Sequence, residues 1–506
     1  MGMRFRRRLP AVPGLSFLLA ALLSSGAAQA APAAASATLK PCRIAGMESE
    51  VQCGSVKRAL DPAKPQGTQI DVQYIVVPAM ARNKLPDPVL FLAGGPGQSA
   101  IDIASAVMGR LTRLNNRRDL VFVDQRGTGR SAPLQCPDDD RKSLAGSMGK
   151  DSQFEMLDRC RAKLQALPYG DLRQFTTTIA MQDMDAVREQ LGVDQWNVIG
   201  GSYGTRAALE YLRQFPSHVR RTVIDGVAPP DMVLPESFSA DNHAALEGVF
   251  KGCDENKACA ARYPKLREEW TALLASMPKQ VTLTHPITGE PEQLTLGRYT
   301  LLSLVRSPLY GPSAAALLPA AIHEASQGRF GPLMGIGASI GGSSKKIRLS
   351  EGMHFSVVCA EDVPRMGKQQ PSNDFGANFA EGYERICRDW PRGTVPDAFY
   401  SVPPTNSPVL LLSGGADPVT PPRHGERVAK ALGAKNPALV QHIVVPESGH
   451  GVMGVRCMAD LIFRFVDAKT DAQALPQDGS CATGIPRPPA WLPPQLEKNN
   501  DKKDAS

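Results

Sequence analysis

Short apolar, β-branched runs recur along the chain, separated by stretches with helical periodicity. Residues 70–78 (IDVQYIVVP), 89–93 (VLFLA) and 120–124 (LVFVD) predict strands. Helical spacing over 180–191 leads to a strand at 196–199, a turn, a helix at about 205–215 and a strand at 223–225. From about residue 228 the rhythm breaks into Pro- and Ser-rich turns mixed with helix-like pieces. It resumes at 408–413 (PVLLLS), with a helix near 423–432, a strand at 440–445 and a last helix around 458–468. Buried strands alternating with helices predict an α/β fold, with a mostly parallel sheet covered by helices on both faces. The break divides it: core residues 31–227 and 405–475 flank an inserted lid, 228–404, and residues 476–506 form a tail.

The first thirty residues have a basic start (Met1 to Arg8), an apolar run at 15–23 and a small-residue end, Ala28-Gln29-Ala30. This predicts a secretory signal peptide, 1–30, and a periplasmic or secreted mature chain. The run is shorter than the ~20 residues a bilayer demands, so no stable membrane association is expected after cleavage. With 42% hydrophobic and 21% charged residues the chain has material for a core. Its net charge of +7 falls to +3 once the leader's Arg4, Arg6, Arg7 and Arg8 are removed, and nucleic-acid binding loses its support in composition. Oligomeric state leaves no mark in the sequence.

Ten cysteines fall into five sequence-adjacent couples: Cys42 and Cys53, Cys136 and Cys160, Cys253 and Cys259, Cys359 and Cys387, Cys457 and Cys481. An exported chain with this pattern is expected to carry disulfides. Spacing does not determine connectivity, and neighbour pairing is the simplest hypothesis. No couple has C-x-x-C spacing and no His stands at ligand spacing beside one, so no metal is expected.

Gly200-Gly201-Ser202-Tyr203-Gly204 is a G-x-S-x-G pentapeptide between a predicted strand (WNVIG) and a predicted helix (TRAALEYL), the setting of a nucleophile elbow. A serine hydroxyl needs an adjacent base, itself oriented by a carboxylate. In this setting the order is Ser, acid, His, and the later strands supply both partners. Asp417 follows PVLLLS, and His450 follows HIVVP between two glycines. His442 lies within that strand and His424 on the helix after the acid, which suits structural roles. Thr420 before Pro421 fits a helix N-cap. The main-chain N–H of Tyr203, and that of Gly95 in Gly94-Gly95-Pro96-Gly97, are the expected oxyanion donors. This acyl-enzyme chemistry calls for no metal or organic cofactor.

LAGGPGQSA, VFVDQRGTGRSAPLQC, GGSYGT, LLSGGADPVTPP and SGHG, in that order, resemble the prolyl iminopeptidase and tripeptidyl aminopeptidase group of exported α/β-hydrolases, with a C-terminal piece similar to the TAP-like domain. The resemblance covers most of the mature chain. It implies an α/β-hydrolase fold, Ser202, Asp417 and His450 as nucleophile, acid and base, and removal of short N-terminal units from peptides. Prolyl iminopeptidases usually carry His before Gly-Gly-Pro-Gly; Ala93 stands here and shifts the expectation toward the tripeptidyl type. A carboxylesterase or lipase using the same triad is the alternative. Ser202 argues against haloalkane- and epoxide-type relatives, which place Asp at the elbow. An aminopeptidase must also hold a charged amine, and Glu361 and Asp362, after FSVVC, are the suggested carboxylates. Asp225, at the end of a core strand, is a further candidate for the amine, though an acid there more often bonds neighbouring loops; Arg126 and Arg130 are expected to organise their turn through carboxylates.

Overall fold

In the computed structural model the apolar runs pair into a single nine-stranded sheet. Apart from Gly2, the structure describes residues 39–137, 150–285, 288–340, 349–367 and 374–494. The expected signal peptide and the end of the tail lie outside the described residues. The strands are β1 (Lys40–Cys42), β2 (Val51–Ala59), β3 (Gln69–Val77), β4 (Val89–Leu92), β5 (Leu120–Val123), β6 (Trp196–Gly201), β7 (Val219–Asp225), β8 (Lys279–Thr284), β9 (Pro291–Leu296), β10 (Val409–Gly414) and β11 (Val440–Val445).

Sheet order is β1-β2-β3-β5-β4-β6-β7-β10-β11, with β8 and β9 forming a separate hairpin. From β5 to β11 the neighbours run parallel, while β1, β2 and β3 add an antiparallel edge ending at the β3–β5 pair. The parallel strands β4 and β5 are buried at every position, as they must be with helices on both faces. β2 is different: its exposed or half-exposed Ser55, Val56, Lys57 and Arg58 suit an edge region. Cys42 and Cys53 tie β1 to β2.

β7 and β10 are parallel neighbours, yet the chain makes a long excursion between them. That excursion has its own core, including Phe238, Leu246, Trp270, Leu301 and Phe379. It is not detached from the sheet's core. Met353, Phe355, Val357 and Cys359 on the helix Glu351–Glu361 pack into the main cluster with Trp196, Tyr203 and Leu411. The other four disulfides join Cys136 to Cys160, Cys253 to Cys259, Cys359 to Cys387 and Cys457 to Cys481. Among the described residues no helix is long and apolar enough to cross a membrane.

Candidate active site

The elbow forms because its glycines admit backbone where a side chain would collide. A Cβ on Gly204 would lie 2.1 Å from the Leu92 carbonyl of β4, and one on Gly200 would lie 2.3 Å from the Gly204 carbonyl. Between them Ser202 adopts φ 56°, a left-handed conformation rare for a residue with a side chain. Its N–H donates to the Asp225 carbonyl at the end of β7 (2.9 Å), and its own carbonyl accepts from Thr205 Oγ1 (2.6 Å). The helix Tyr203–Gln214 then begins directly behind the hydroxyl.

Asp417 and His450 leave the ends of β10 and β11, and His450 Nδ1 lies 2.8 Å from Asp417 Oδ2. The other carboxylate oxygen accepts the N–H groups of Val419 (2.9 Å) and Thr420 (2.8 Å). Thr420 Oγ1 donates to Asp417 Oδ2 (2.7 Å) and lies 3.0 Å from His450 Nδ1. This replaces the expected N-cap role: the cap position belongs to Pro421, with Pro422 opening the helix, so the hydroxyl is free to serve the acid. Burial works against charge on Asp417, but His450 and the Thr420 donors outweigh it and hold the carboxyl below its ordinary range. Burial likewise disfavours a charged imidazole, yet the Asp417 charge and hydrogen bond win, and His450 is raised above the ordinary histidine value.

Asp225 organises the His450 loop by accepting the N–H groups of Val452 (2.8 Å) and Met453 (2.7 Å). A Cβ on the next residue, Gly226, would lie 3.2 Å from His450 Cε1, so the elbow and the histidine share one sheet edge. The Ser202 hydroxyl makes no hydrogen bond to His450 within 3.5 Å. In sites without substrate such contacts are commonly long and close on binding.

The glycine loop is held by Asp124, which accepts from Ser99 Oγ (2.6 Å) and from the N–H groups of Ile101 (3.1 Å) and Arg130 (3.0 Å). Gln125 donates to the buried Tyr203 hydroxyl (3.0 Å), and Arg126 forks onto Asp183. The DQRGTGR segment is thus a brace between the glycine loop and the elbow. Gly95, at φ 113°, and Tyr203 both line a cavity of about 290 Å³ that also contains Ser202.

The inserted segment roofs that cavity with Phe238, Arg306, Tyr310, Glu351, His354 and Tyr383. Tyr310 stands edge-on to the His450 ring, centroids 5.2 Å apart, and its carbonyl accepts the His450 N–H (2.8 Å). Glu361 and Asp362 do not line it, which corrects their expected amine-binding role. Both are buried and engaged: Glu361 accepts from Thr177 N–H (2.7 Å) and Oγ1 (3.0 Å), and Asp362 takes the Arg206 fork (2.9 and 3.0 Å). A turn of helix with Arg206 behind it absorbs the pair, whereas Glu351 is the carboxylate on the cavity wall. Glu351 accepts from Gln135 Nε2 (2.7 Å). The Thr420 role is hinted at by a Thr three residues after an Asp; nothing comparable marks Arg306, Glu351 or Tyr310. His442 is bonded to Ser413 Oγ, away from the acid.

Residues 87–264 match the alpha/beta hydrolase fold family, and residues 371–481 match the family described as TAP-like protein. The chain is 26% identical over 437 residues to serine protease Hip1 of Mycobacterium tuberculosis, covering 78% of this chain and 82% of that one. It is 30% identical over 288 residues to a tripeptidyl aminopeptidase of Streptomyces lividans, 53% of this chain and 51% of the relative. It is also 27% identical over 414 residues to carboxylesterase B of M. tuberculosis, 76% of this chain and 78% of that one. Among solved structures, a proline iminopeptidase of Mycobacterium smegmatis aligns at TM-score 0.38 and 15% identity, over 81% of this chain and 97% of its own.

Proposed function

This chain is an α/β hydrolase with a TAP-like C-terminal part, a serine hydrolase, and we propose that it works as an exported exopeptidase cleaving peptide bonds near the N-terminus of peptides. The observation that carries the reading is the Asp417–His450 pair, 2.8 Å apart, on the sheet edge where Ser202 is held at positive φ. His450 takes the Ser202 proton as the oxygen attacks the scissile carbonyl. Asp417 stabilises the imidazolium that forms. The N–H groups of Tyr203 and Gly95 receive the oxyanion, and His450 passes its proton to the leaving amine. Water then repeats the sequence on the acyl-enzyme.

Glu351 is the carboxylate placed to meet a substrate amine in this reading, and the tripeptidyl aminopeptidase relative favours release of short N-terminal units. Five disulfides and the leader-like N-terminus favour work in the periplasm or outside the cell. The carboxylesterase B relative keeps an ester substrate as the second reading. A fluorophosphonate probe should label the wild-type protein at Ser202 and fail on Ser202→Ala; labelling that persists in the variant removes Ser202 as nucleophile. Turnover retained in His450→Ala does the same for the base.

A further inference from the structure

We propose that Arg306 is a specificity residue that binds a carboxylate of the substrate, within the active site read above as that of a peptidase. Arg306 sits on the helix Arg298–Leu309 of the inserted segment and lines the same cavity as Ser202. Its guanidinium is surrounded by rings: the carbon lies 4.5 Å from the Phe238 centroid, 5.4 Å from Phe379 and 5.5 Å from Tyr310. Nη2 donates to the Tyr310 hydroxyl (2.8 Å), and Nε is buried without a partner. No carboxylate among the described residues comes within 4.0 Å of it.

Arg306 is half-buried with only its Nε fully enclosed, whereas the fully buried arginines among the described residues all have a carboxylate partner. Arg126 is held by Asp183 and by the carbonyls of Leu60 and Gln174, and Arg206 by Asp362 with Glu361 behind it. Holding a guanidinium partly out of water without a counter-ion is costly. Aromatic faces recover part of that cost but supply no hydrogen-bond acceptor for the planar fork. The remaining donors match a carboxylate, which takes two parallel N–H bonds. The Arg306 charge also bears on His450, His354, Tyr310 and Tyr383, in keeping with its place at the reacting centre. Glu351 on the same wall gives the cavity one charge of each sign. In peptide chemistry a carboxylate near the scissile bond has two sources, the α-carboxylate of a short leaving peptide and an acidic side chain beside the bond.

The test compares kcat/KM for matched pairs with wild type, Arg306→Gln and Arg306→Lys, with thermal melting to check folding. One peptide pair differs in a free or amidated C-terminus, another in Glu or Gln beside the bond, all with free N-termini. An ester pair compares the p-nitrophenyl half-ester of succinate with p-nitrophenyl butyrate. Wild type should favour the carboxylate member by about tenfold or more, as a charge-assisted bond implies. The responding peptide pair identifies the source. Arg306→Gln should bring the ratio close to one, and Arg306→Lys should keep part of it. Wild-type ratios near one in every pair overturn the proposal even if no variant folds, and so does a ratio that survives in Arg306→Gln. If esters are cleaved and peptides are not, the peptidase reading fails, while the succinate to butyrate ratio still decides the role of Arg306.

Discussion

Replacing Thr420 with Val removes one oxygen from the acid–base pair and keeps the side-chain shape. In the native site the Thr420 hydroxyl donates to Asp417 Oδ2 at 2.7 Å, beside the 2.8 Å contact from His450. The valine variant leaves Oδ2 with His450 alone, while Oδ1 keeps the Val419 and Thr420 N–H groups. A hydrogen bond to a buried charged group is worth about 1.5–3 kcal/mol. In the proposed mechanism the imidazolium that Asp417 balances forms only as the serine attacks, so most of that loss should fall on the transition state. At about 1.4 kcal/mol per decade this is a fall of roughly 10- to 150-fold in kcat. The assay is steady-state kinetics on one chromogenic substrate, with Thr420→Ser as the rescue that restores the oxygen. A valine variant within about twofold of wild type, or a serine variant no better than valine, refutes the reasoning.

Three further outcomes follow from the same geometry. In the proposed mechanism His450 must be neutral to accept the serine proton; although burial favours the neutral form, Asp417 raises its pKa, so the acid limb of kcat/KM should lie above the ordinary histidine value of 6.5. A limb at or below that value contradicts the coupling. Glu361 is pushed by burial from 4.5 to about 7, against the pull of Arg206 and the Thr177 N–H. The folded chain therefore binds this proton more tightly than the unfolded chain, and stability should fall as pH rises from about 4.5 to about 7. Urea melts at about pH 5 and about pH 8 should show that loss reduced in Glu361→Gln. The Cys359–Cys387 bridge spans a sequence separation of 28 and ties the helix Glu351–Glu361 to the helix Asn378–Asp389. Replacing both cysteines with Ala should cost roughly 3.5 kcal/mol in denaturant unfolding, the loop-closure value, and a cost below about 1 kcal/mol would show that packing alone holds the roof.

The parallel half of the sheet was legible because strands buried on both faces read as unbroken apolar runs: the predicted 440–445 strand coincides with β11, and 89–93 and 120–124 overrun β4 and β5 by one residue each. β2 escaped notice because its outer residues, with Lys57 and Arg58 among them, break the apolar pattern of an edge region. The β8–β9 hairpin was hidden by the Pro-rich composition around it. Local motifs single out Ser202, Asp417 and His450 as candidates, since each lies in a strand-end turn whose glycines leave a mark in sequence. Side chains that meet through tertiary packing left none. Adjacent acids such as Glu361 and Asp362 look solvated until the buried Arg206, distant in sequence, is placed against them. Thr420 before Pro421 reads as an N-cap followed by Pro at the first helical position, whereas Pro421 is the cap and Pro422 opens the helix.

The central claim is that a serine acyl-enzyme here serves an exopeptidase that needs a free amine. The most direct test digests a small set of peptides, each with free and acetylated N-termini, and reads the products by mass. The account predicts short N-terminal fragments from the free peptides, loss of most of the rate on acetylation, and no product with Ser202→Ala. Equal cleavage of free and acetylated peptides, or hydrolysis of esters with no peptide product, would contradict it.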